Sequence, residues 1–321
     1  MLKKEINKAT DFSSISPSKT LTEGNSIDEE NNSSKNLNNP ISVHTFVNNK
    51  LILYEIKSLQ ISTIECPPIN DFPNDCFPSI IIKDGVFVTG GFKDENALKS
   101  CFMFDIGKSQ MLRPSDMFQK RYSHSLLMTN NQFVFALAGH DNVKPLRQCE
   151  KYDLVSDKWQ LIPNLNDDRS CLTGFSFENK FLYVFGGWSE SIKSYLSDIE
   201  KIDIIVEKEG WKKIQISNTS WISKCGSNVC QVSDHTFLIF GGANSEKDLD
   251  DSFIFDTRSN SVQLKTKMKK ASHFFNQCSQ TALYNNTVFS IDNDKSMQYY
   301  DIKSNQWFIY SYQEWNSDQD S

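Results

Sequence analysis

The chain of 321 residues is organised by a short pattern of apolar positions that recurs along most of its length. Each unit opens with a run of β-branched and aromatic residues, which suits a strand buried on both faces. An apolar residue followed by Asp comes thirteen to fifteen residues after the run. These pairs are Phe104-Asp105, Tyr152-Asp153, Ile202-Asp203, Phe255-Asp256 and Tyr300-Asp301, and subtraction gives intervals of 48, 50, 53 and 45 residues. A period near 50 residues built from short strands predicts a β-propeller.

Glycines and aromatic residues mark fixed places in each unit. The glycines let a strand leave its sheet at positive φ while a neighbouring backbone comes close. They are Gly90, Gly91, Gly139, Gly186, Gly187, Gly241 and Gly242. An apolar residue is followed by a Trp in three units, as Tyr152 with Trp159, Ile202 with Trp211 and Tyr300 with Trp307. These aromatics are predicted to fill the space between blades, because one sheet cannot bury both faces alone.

On these residues the chain resembles the kelch repeat family, whose blades carry a glycine pair after the second strand, an aromatic on the third and a Trp on the fourth. Two units depart from that pattern: Val262 takes the Trp position in the fifth, and Asp292-Asn293 replaces the glycine pair in the sixth. The resemblance covers residues 41–312. It implies an all-β fold, a six-bladed kelch-type β-propeller, with a disordered N-terminal tail.

Counting the units places five blades at 76–119, 120–168, 169–222, 223–271 and 272–312, with a degenerate first blade before them. In that first blade the sequence predicts strands at 42–47, 50–56 and 60–65, equivalent to the second, third and fourth strands elsewhere. Residues 1–40 are rich in Ser, Asn, Lys and Glu and are predicted to be disordered. Residues 313–321 form a polar C-terminal tail that we do not expect to supply a closing strand.

Composition indicates the cytoplasm. No apolar run approaches the roughly 20 residues of a membrane span, and the first 40 residues lack the apolar core of a signal peptide. The 8 cysteines include no Cys-x-x-Cys pair. Cys76, Cys171, Cys225 and Cys278 each precede a strand exit by 14 to 16 residues, which predicts a packing role near the start of the innermost strands.

Catalytic motifs are not found in the sequence, and the five histidines show no metal-ligand spacing. We therefore expect no enzymatic activity, no cofactor and no metal. The alternative is an intracellular propeller enzyme or small-molecule binder that uses the central channel. Titratable residues converging on the innermost strands would favour that alternative.

Binding is the function that a kelch arrangement implies, because the loops after the glycine pairs and the loops linking successive blades share one face. The linking loops are basic, although the chain carries a net charge of −6. Their predicted partner-binding residues are Lys120, Arg121, Arg169 and Lys224, joined by Trp188 directly after Gly186-Gly187. Arg121 and His124 are also open to a structural role within the blade. The prediction is a free-standing scaffold that binds a protein, through an acidic segment, and neither nucleic acid nor membrane.

Overall fold

Six antiparallel sheets form the blades of a β-propeller in the computed structural model, which describes residues 42–47, 50–56, 60–216, 224–273, 281–291 and 297–310. The all-β, six-bladed prediction is confirmed. The two predicted tails, Asp292-Asn293 and Cys278 lie outside the described residues. The one helix among the described segments is a 3-10 turn at Glu207–Glu209, and no described helix has the length and hydropathy that a membrane crossing needs.

Strands follow the chain order within each blade, from the channel outwards. Blade 1 contains β1 (Ser42–Val47), β2 (Lys50–Glu55) and β3 (Gln60–Glu65). Blade 2 contains β4 (Ser79–Ile82), β5 (Gly85–Thr89), the hairpin β6 (Phe92–Lys93) and β7 (Asn96–Ala97), β8 (Cys101–Asp105) and β9 (Gln110–Leu112). Blade 3 contains β10 (Ser125–Thr129), β11 (Phe133–Leu137), β12 (Cys149–Asp153) and β13 (Lys158–Ile162).

The remaining blades repeat this order. Blade 4 contains β14 (Thr173–Phe177), β15 (Phe181–Phe185), the hairpin β16 (Trp188–Ser189) and β17 (Ser194–Tyr195), β18 (Ile199–Asp203) and β19 (Lys212–Ile214). Blade 5 contains β20 (Asn228–Gln231), β21 (Thr236–Phe240), β22 (Ser252–Asp256) and β23 (Ser261–Leu264). Blade 6 contains β24 (Thr281–Tyr284), β25 (Thr287–Ile291), β26 (Met297–Asp301) and β27 (Gln306–Tyr310).

The aromatic positions of the repeat lie opposite one another on the third and fourth strands. Tyr152 pairs with Trp159 across β12 and β13, and their ring centroids are 5.0 Å apart. Tyr300 and Trp307 repeat the arrangement in blade 6, at 5.2 Å. Trp211 is buried against residues of blade 3, and its indole donates to the carbonyl of Pro163 at 2.9 Å. These side chains therefore fill the seams between blades.

The glycine pairs sit where one blade touches the next. The second glycine of the pair in blade 4, Gly187, donates its N–H to the carbonyl of Lys224, the residue that leads into blade 5. Gly186 has φ of +62°, and a Cβ there would lie 2.4 Å from that same carbonyl oxygen. Ala138 replaces the first glycine in blade 3 and still adopts φ of +55°. Contact between neighbouring blades therefore requires a small residue at positive φ at this position.

A chain of backbone hydrogen bonds joins blades 2 to 5 just before their innermost strands. The N–H of Ser123 donates to the carbonyl of Cys76 at 2.9 Å. In the same way, the N–H of Cys171 donates to the carbonyl of Ser123 at 2.9 Å, and that of Gly226 to the carbonyl of Cys171 at 2.7 Å. All four residues have φ between +49° and +59°. Cys76 and Cys171 thus lie where the sequence predicted. In blade 5 the equivalent residue is Gly226, and Cys225 precedes it.

Blade 1 has the three strands predicted for it. Its register matches that of the complete blades: Val43 lies opposite Tyr54 just as Val134 lies opposite Tyr152. The strand β1 is therefore equivalent to a second strand. His44 on β1 reaches the adjoining blade, with its Nε2 2.8 Å from Oγ of Ser79 at the start of β4.

Candidate partner-binding face

Loops of two kinds meet at one end of the propeller. The residue after each glycine pair forms a backbone bridge with the residue just before the hydrogen-bonded chain described above: Phe92 with Asp75, His140 with Tyr122, Trp188 with Ser170, and Ala243 with Cys225. The loops that follow the glycines and the loops that link blades consequently share this end. We call it the loop face.

Arg121 lies beneath the loop face and is fully buried. Its Nη2 is 2.5 Å from Oε1 of Glu150, which is also fully buried, and its Nη1 donates to the carbonyls of Ala138 and Gln148 at 2.6 and 2.9 Å. The carboxylate of Glu150 also accepts the N–H groups of two linker residues, at 2.8 and 3.0 Å. The pair thus ties the linker to the third strand of blade 3.

Arg169 repeats the arrangement one blade later. Its Nη2 is 2.6 Å from Oε1 of Glu200, with both side chains fully buried, and its Nη1 donates to the carbonyl of Gly186 at 3.0 Å. Asp167, Asp198 and Glu200 come close enough together to be considered as a cation site. Arg169 and Lys213 already form ion pairs with this group, so each of the three carboxylates has a cationic partner in the protein.

Lys224 takes the same place in blade 5, but its partner is different. The position held by Glu150 and Glu200 is occupied there by Phe253, and Nζ of Lys224 lies 4.8 Å from the centroid of that ring. The side chain is buried, at 1% exposure. Burial lowers the pKa of this amine to about 8, and the charge of Asp251 opposes the shift.

These positions correct the predicted basic binding rim. Arg121, Arg169 and Lys224 are inside the propeller, because the same blade places a carboxylate or an aromatic ring next to each cation. A partner on the surface cannot contact them in this conformation. Lys120 differs, since it is exposed on the loop face, and it stays a predicted contact.

His124 belongs to the same buried layer. It is fully buried, and its Nε2 is 2.8 Å from Oγ1 of Thr89 in the neighbouring blade. Burial, and then the charge of Arg121, hold the pKa of this imidazole well below its usual range. Arg121 and His124 therefore have the structural role within the blade that the sequence left open.

Aromatic rings occupy the surface above the buried layer. Phe92 and Tyr122 meet with ring centroids 5.1 Å apart, and Tyr122 and His140 at 5.2 Å. Trp188 and Tyr195, which lie opposite each other in the hairpin of blade 4, form an edge-on pair at 5.1 Å. All five are partly exposed. We call this set, Phe92, Tyr122, His140, Trp188 and Tyr195, the aromatic mouth.

The two groups of rings are neighbours across the seam between blades 3 and 4. Tyr122 precedes Ser123, whose carbonyl accepts the N–H of Cys171, and Ser170 just before it pairs with Trp188. Only Trp188 of this set was predicted from the sequence. Phe92 and His140 share a signal with Trp188, because each directly follows the glycines of its blade. Tyr122 and Tyr195 do not.

The innermost strands bear on the alternative of a catalytic or ligand-binding channel. The five that the structure describes, β4, β10, β14, β20 and β24, carry no Asp, Glu, His, Lys or Arg. Burial raises the pKa of Cys171 to about 11 and that of Cys230 to about 12, so these thiols stay protonated near neutral pH. The convergence of titratable groups that would favour a channel enzyme is not found in these strands.

Comparison with known proteins agrees with the repeat. A family model described as the kelch motif matches residues 121–166, which span blade 3. Blade 3 thus carries a kelch motif. It is similar to Kelch-like protein 15 of Gallus gallus, at 26% identity over 193 residues, or 58% of the chain and 38% of the relative. It is also similar to Kelch-like protein 23 of Homo sapiens, at 25% identity over 152 residues, or 44% of the chain and 27% of the relative.

A viral relative shows the same partial coverage. Kelch repeat and BTB domain-containing protein 2 of cowpox virus is 24% identical over 143 residues, which are 44% of the chain and 25% of that protein. The chain thus spans well under half of the length of each of these relatives. The similarity to these relatives supports the kelch propeller and no other part of them.

Proposed function

We propose that this kelch propeller is a protein-interaction module or scaffold that docks a segment of a partner protein on its loop face, over blades 2 to 4. The observation that carries the proposal is the aromatic mouth. Aromatic side chains that are partly exposed and held in a rigid frame are typical of the centres of protein interfaces. The kelch-like relatives support a role in protein binding, and a cytoplasmic location remains part of the proposal.

Charge no longer favours an acidic segment. That prediction rested on Arg121, Arg169 and Lys224, whose charges are buried. Among the exposed lysines of the loop face, Lys267 is already paired with Asp250 at 2.7 Å. Lys120 and Lys269, the other exposed lysines of the linkers, are a weak basis for selection, because an exposed ion pair contributes only about 0.2 to 1 kcal/mol.

Two isoleucines of blade 4 provide a matched test. Ile192 lies in the hairpin loop of the loop face and is 50% exposed, whereas Ile205 lies in the turn between the third and fourth strands, at the opposite end, and is 70% exposed. A photo-crosslinking amino acid placed at each site in turn, in cells, would trap whatever protein binds there. We expect a partner crosslinked from Ile192 and absent from Ile205. Crosslinking from Ile205 alone would place the binding surface on the other face and contradict the proposal.

A further inference from the structure

We infer that the aromatic mouth accepts a large uncharged side chain from the partner segment, an aromatic or long aliphatic residue, as its main anchor. This inference rests on the proposed function and specifies the chemistry of the partner. An uncharged anchor differs from the acidic segment predicted from the sequence. The reason is the distribution of exposed and buried charges on the loop face.

The centre of the mouth is formed by neutral groups. Tyr122 and the Trp188–Tyr195 pair lie on either side of Cys171, and His140 contacts Tyr122. Burial raises the pKa of Tyr122 to about 12 and also raises that of Tyr195, while it lowers the pKa of His140. Each shift favours the neutral form, so the rings line a partly dehydrated surface on which a charge brought by a partner would lose solvation.

Two carboxylates beside the mouth, Asp141 and Asp168, are turned into the protein, whereas Glu190 is exposed and lies 3.5 Å from the indole Nε1 of Trp188. Asp141 accepts the N–H groups of Val143 and Lys144, both at 2.9 Å. Asp168 accepts the hydroxyl of Ser189 and the N–H of Glu190, both at 2.9 Å. These carboxylates hold the loops that carry His140 and Trp188. They are therefore occupied in shaping the mouth and offer little to a cationic partner.

Blade 5 shows how the surface changes outside the mouth. Ala243 stands where the other blades place Phe92, His140 and Trp188, and it is buried. Asp248, opposite Ala243, lies 2.8 Å from Nδ1 of His273. Within residues 224–273, the described part of this region, the loop face carries an Asp–His contact and places no ring directly after the glycines. An apolar anchor therefore finds complementary surface on blades 3 and 4, and the charged loops around it would contact the residues that flank the anchor.

The probe for this inference is a random-peptide display library selected against the purified full chain. The best peptide would then be synthesised and titrated calorimetrically, as selected and with its proposed anchor changed to Ala. We expect the selected peptides to share a large uncharged residue. Trp188→Ala, and separately the loss of the anchor, should each weaken binding about 30-fold, as expected for a hot-spot residue. The two changes together should weaken binding by much less than the product of their separate effects.

Controls separate folding from binding. Val155→Ala, at a side chain 81% exposed at the opposite end, should leave affinity unchanged. Thermal melting would confirm that Trp188→Ala is folded, and Tyr195→Ala provides a second variant if it is not. Selected peptides that share acidic residues and no apolar anchor would overturn the inference and leave the proposed function standing. Peptides whose affinity is insensitive to both Trp188→Ala and Tyr195→Ala, or no selected peptide at all, would count against the inference and the proposed function together.

Discussion

Arg169 and Trp188 lie in the same blade, 19 positions apart, and the structure assigns them to different layers. Arg169 is fully buried and ion-paired with Glu200, whereas Trp188 is partly exposed in the aromatic mouth. Their backbones are close, since Ser170, next to Arg169, pairs with Trp188. The difference is that the third strand of the blade supplies a buried carboxylate for the arginine and nothing that covers the indole. Charge in a propeller loop thus indicates binding only when the blade provides no counter-ion for it.

The largest expected effect comes from breaking the buried layer in blade 3. Glu150→Ala would leave Arg121 buried without its carboxylate and would free two linker N–H groups. Removing one partner of a buried ion pair costs about 3 to 5 kcal/mol, and we expect a loss in that range from urea denaturation. Glu65→Ala is the matched control, because Glu65 and its partner Lys50 are 73% and 46% exposed, and it should cost no more than about 1 kcal/mol. Equal effects of the two variants would show that the buried pair is not structural.

A smaller effect is expected where the buried layer crosses to the next blade. Gly186→Val introduces a Cβ at 2.4 Å from the carbonyl oxygen of Lys224, at a residue with φ of +62°. We expect destabilisation above the roughly 1 kcal/mol of an average substitution, from strain as well as overlap. Gly107→Ala is the control, since the nearest atom to its Cβ is 3.6 Å away. If Gly186→Val melted at the wild-type temperature, the glycine pair would not be part of the contact between blades.

The smallest effect concerns pH and sharpens the description of the buried layer. The pKa of His124 is lowered in the folded state, so its contribution to stability is fully present above the unfolded pKa of about 6.5. That contribution is lost as pH falls from there towards the folded pKa, by up to about 1.4 kcal/mol per pH unit for one proton. We expect the free energy of unfolding to decrease between pH 7 and pH 5, and less steeply in His124→Asn. The same slope in both proteins would assign the dependence to other groups.

Most of the fold could be predicted from the sequence, because the repeat places the same residue types at the same structural positions six times. Blade 1 lacks the glycines, but Tyr54-Glu55-Ile56-Lys57-Ser58 matches Tyr300-Asp301-Ile302-Lys303-Ser304 of blade 6, and this match places its strands. The candidate site was harder to predict. The linker cations were predicted to be exposed and three of them are buried. The carboxylates that pair with Arg121 and Arg169 lie 29 and 31 residues further along the chain, beyond the reach of a local pattern.

A signal for that burial was present in the sequence. Glu150 and Glu200 both occupy the second position of a third strand, where blades 2 and 5 have Phe102 and Phe253. Blade 6 has the buried Gln298 there. A carboxylate at a position that is buried in the other blades predicts a buried counter-ion. The aromatic mouth gave no such signal, because its rings come from different blades and only the closed propeller brings them together.

Amine labelling compares an exposed and a buried lysine of the linkers directly. Acetylation of the native protein at pH 8, followed by peptide mass spectrometry over time, measures the reactivity of Lys120 and Lys224 in one experiment. An accessible Lys224 would be labelled at a rate similar to that of the exposed Lys120. We predict instead that Lys224 is labelled at least about tenfold more slowly until denaturant is added, because a buried group reacts only through opening of the structure. Labelling of native Lys224 as fast as Lys120 would contradict the separation of a buried basic layer from an exposed aromatic one.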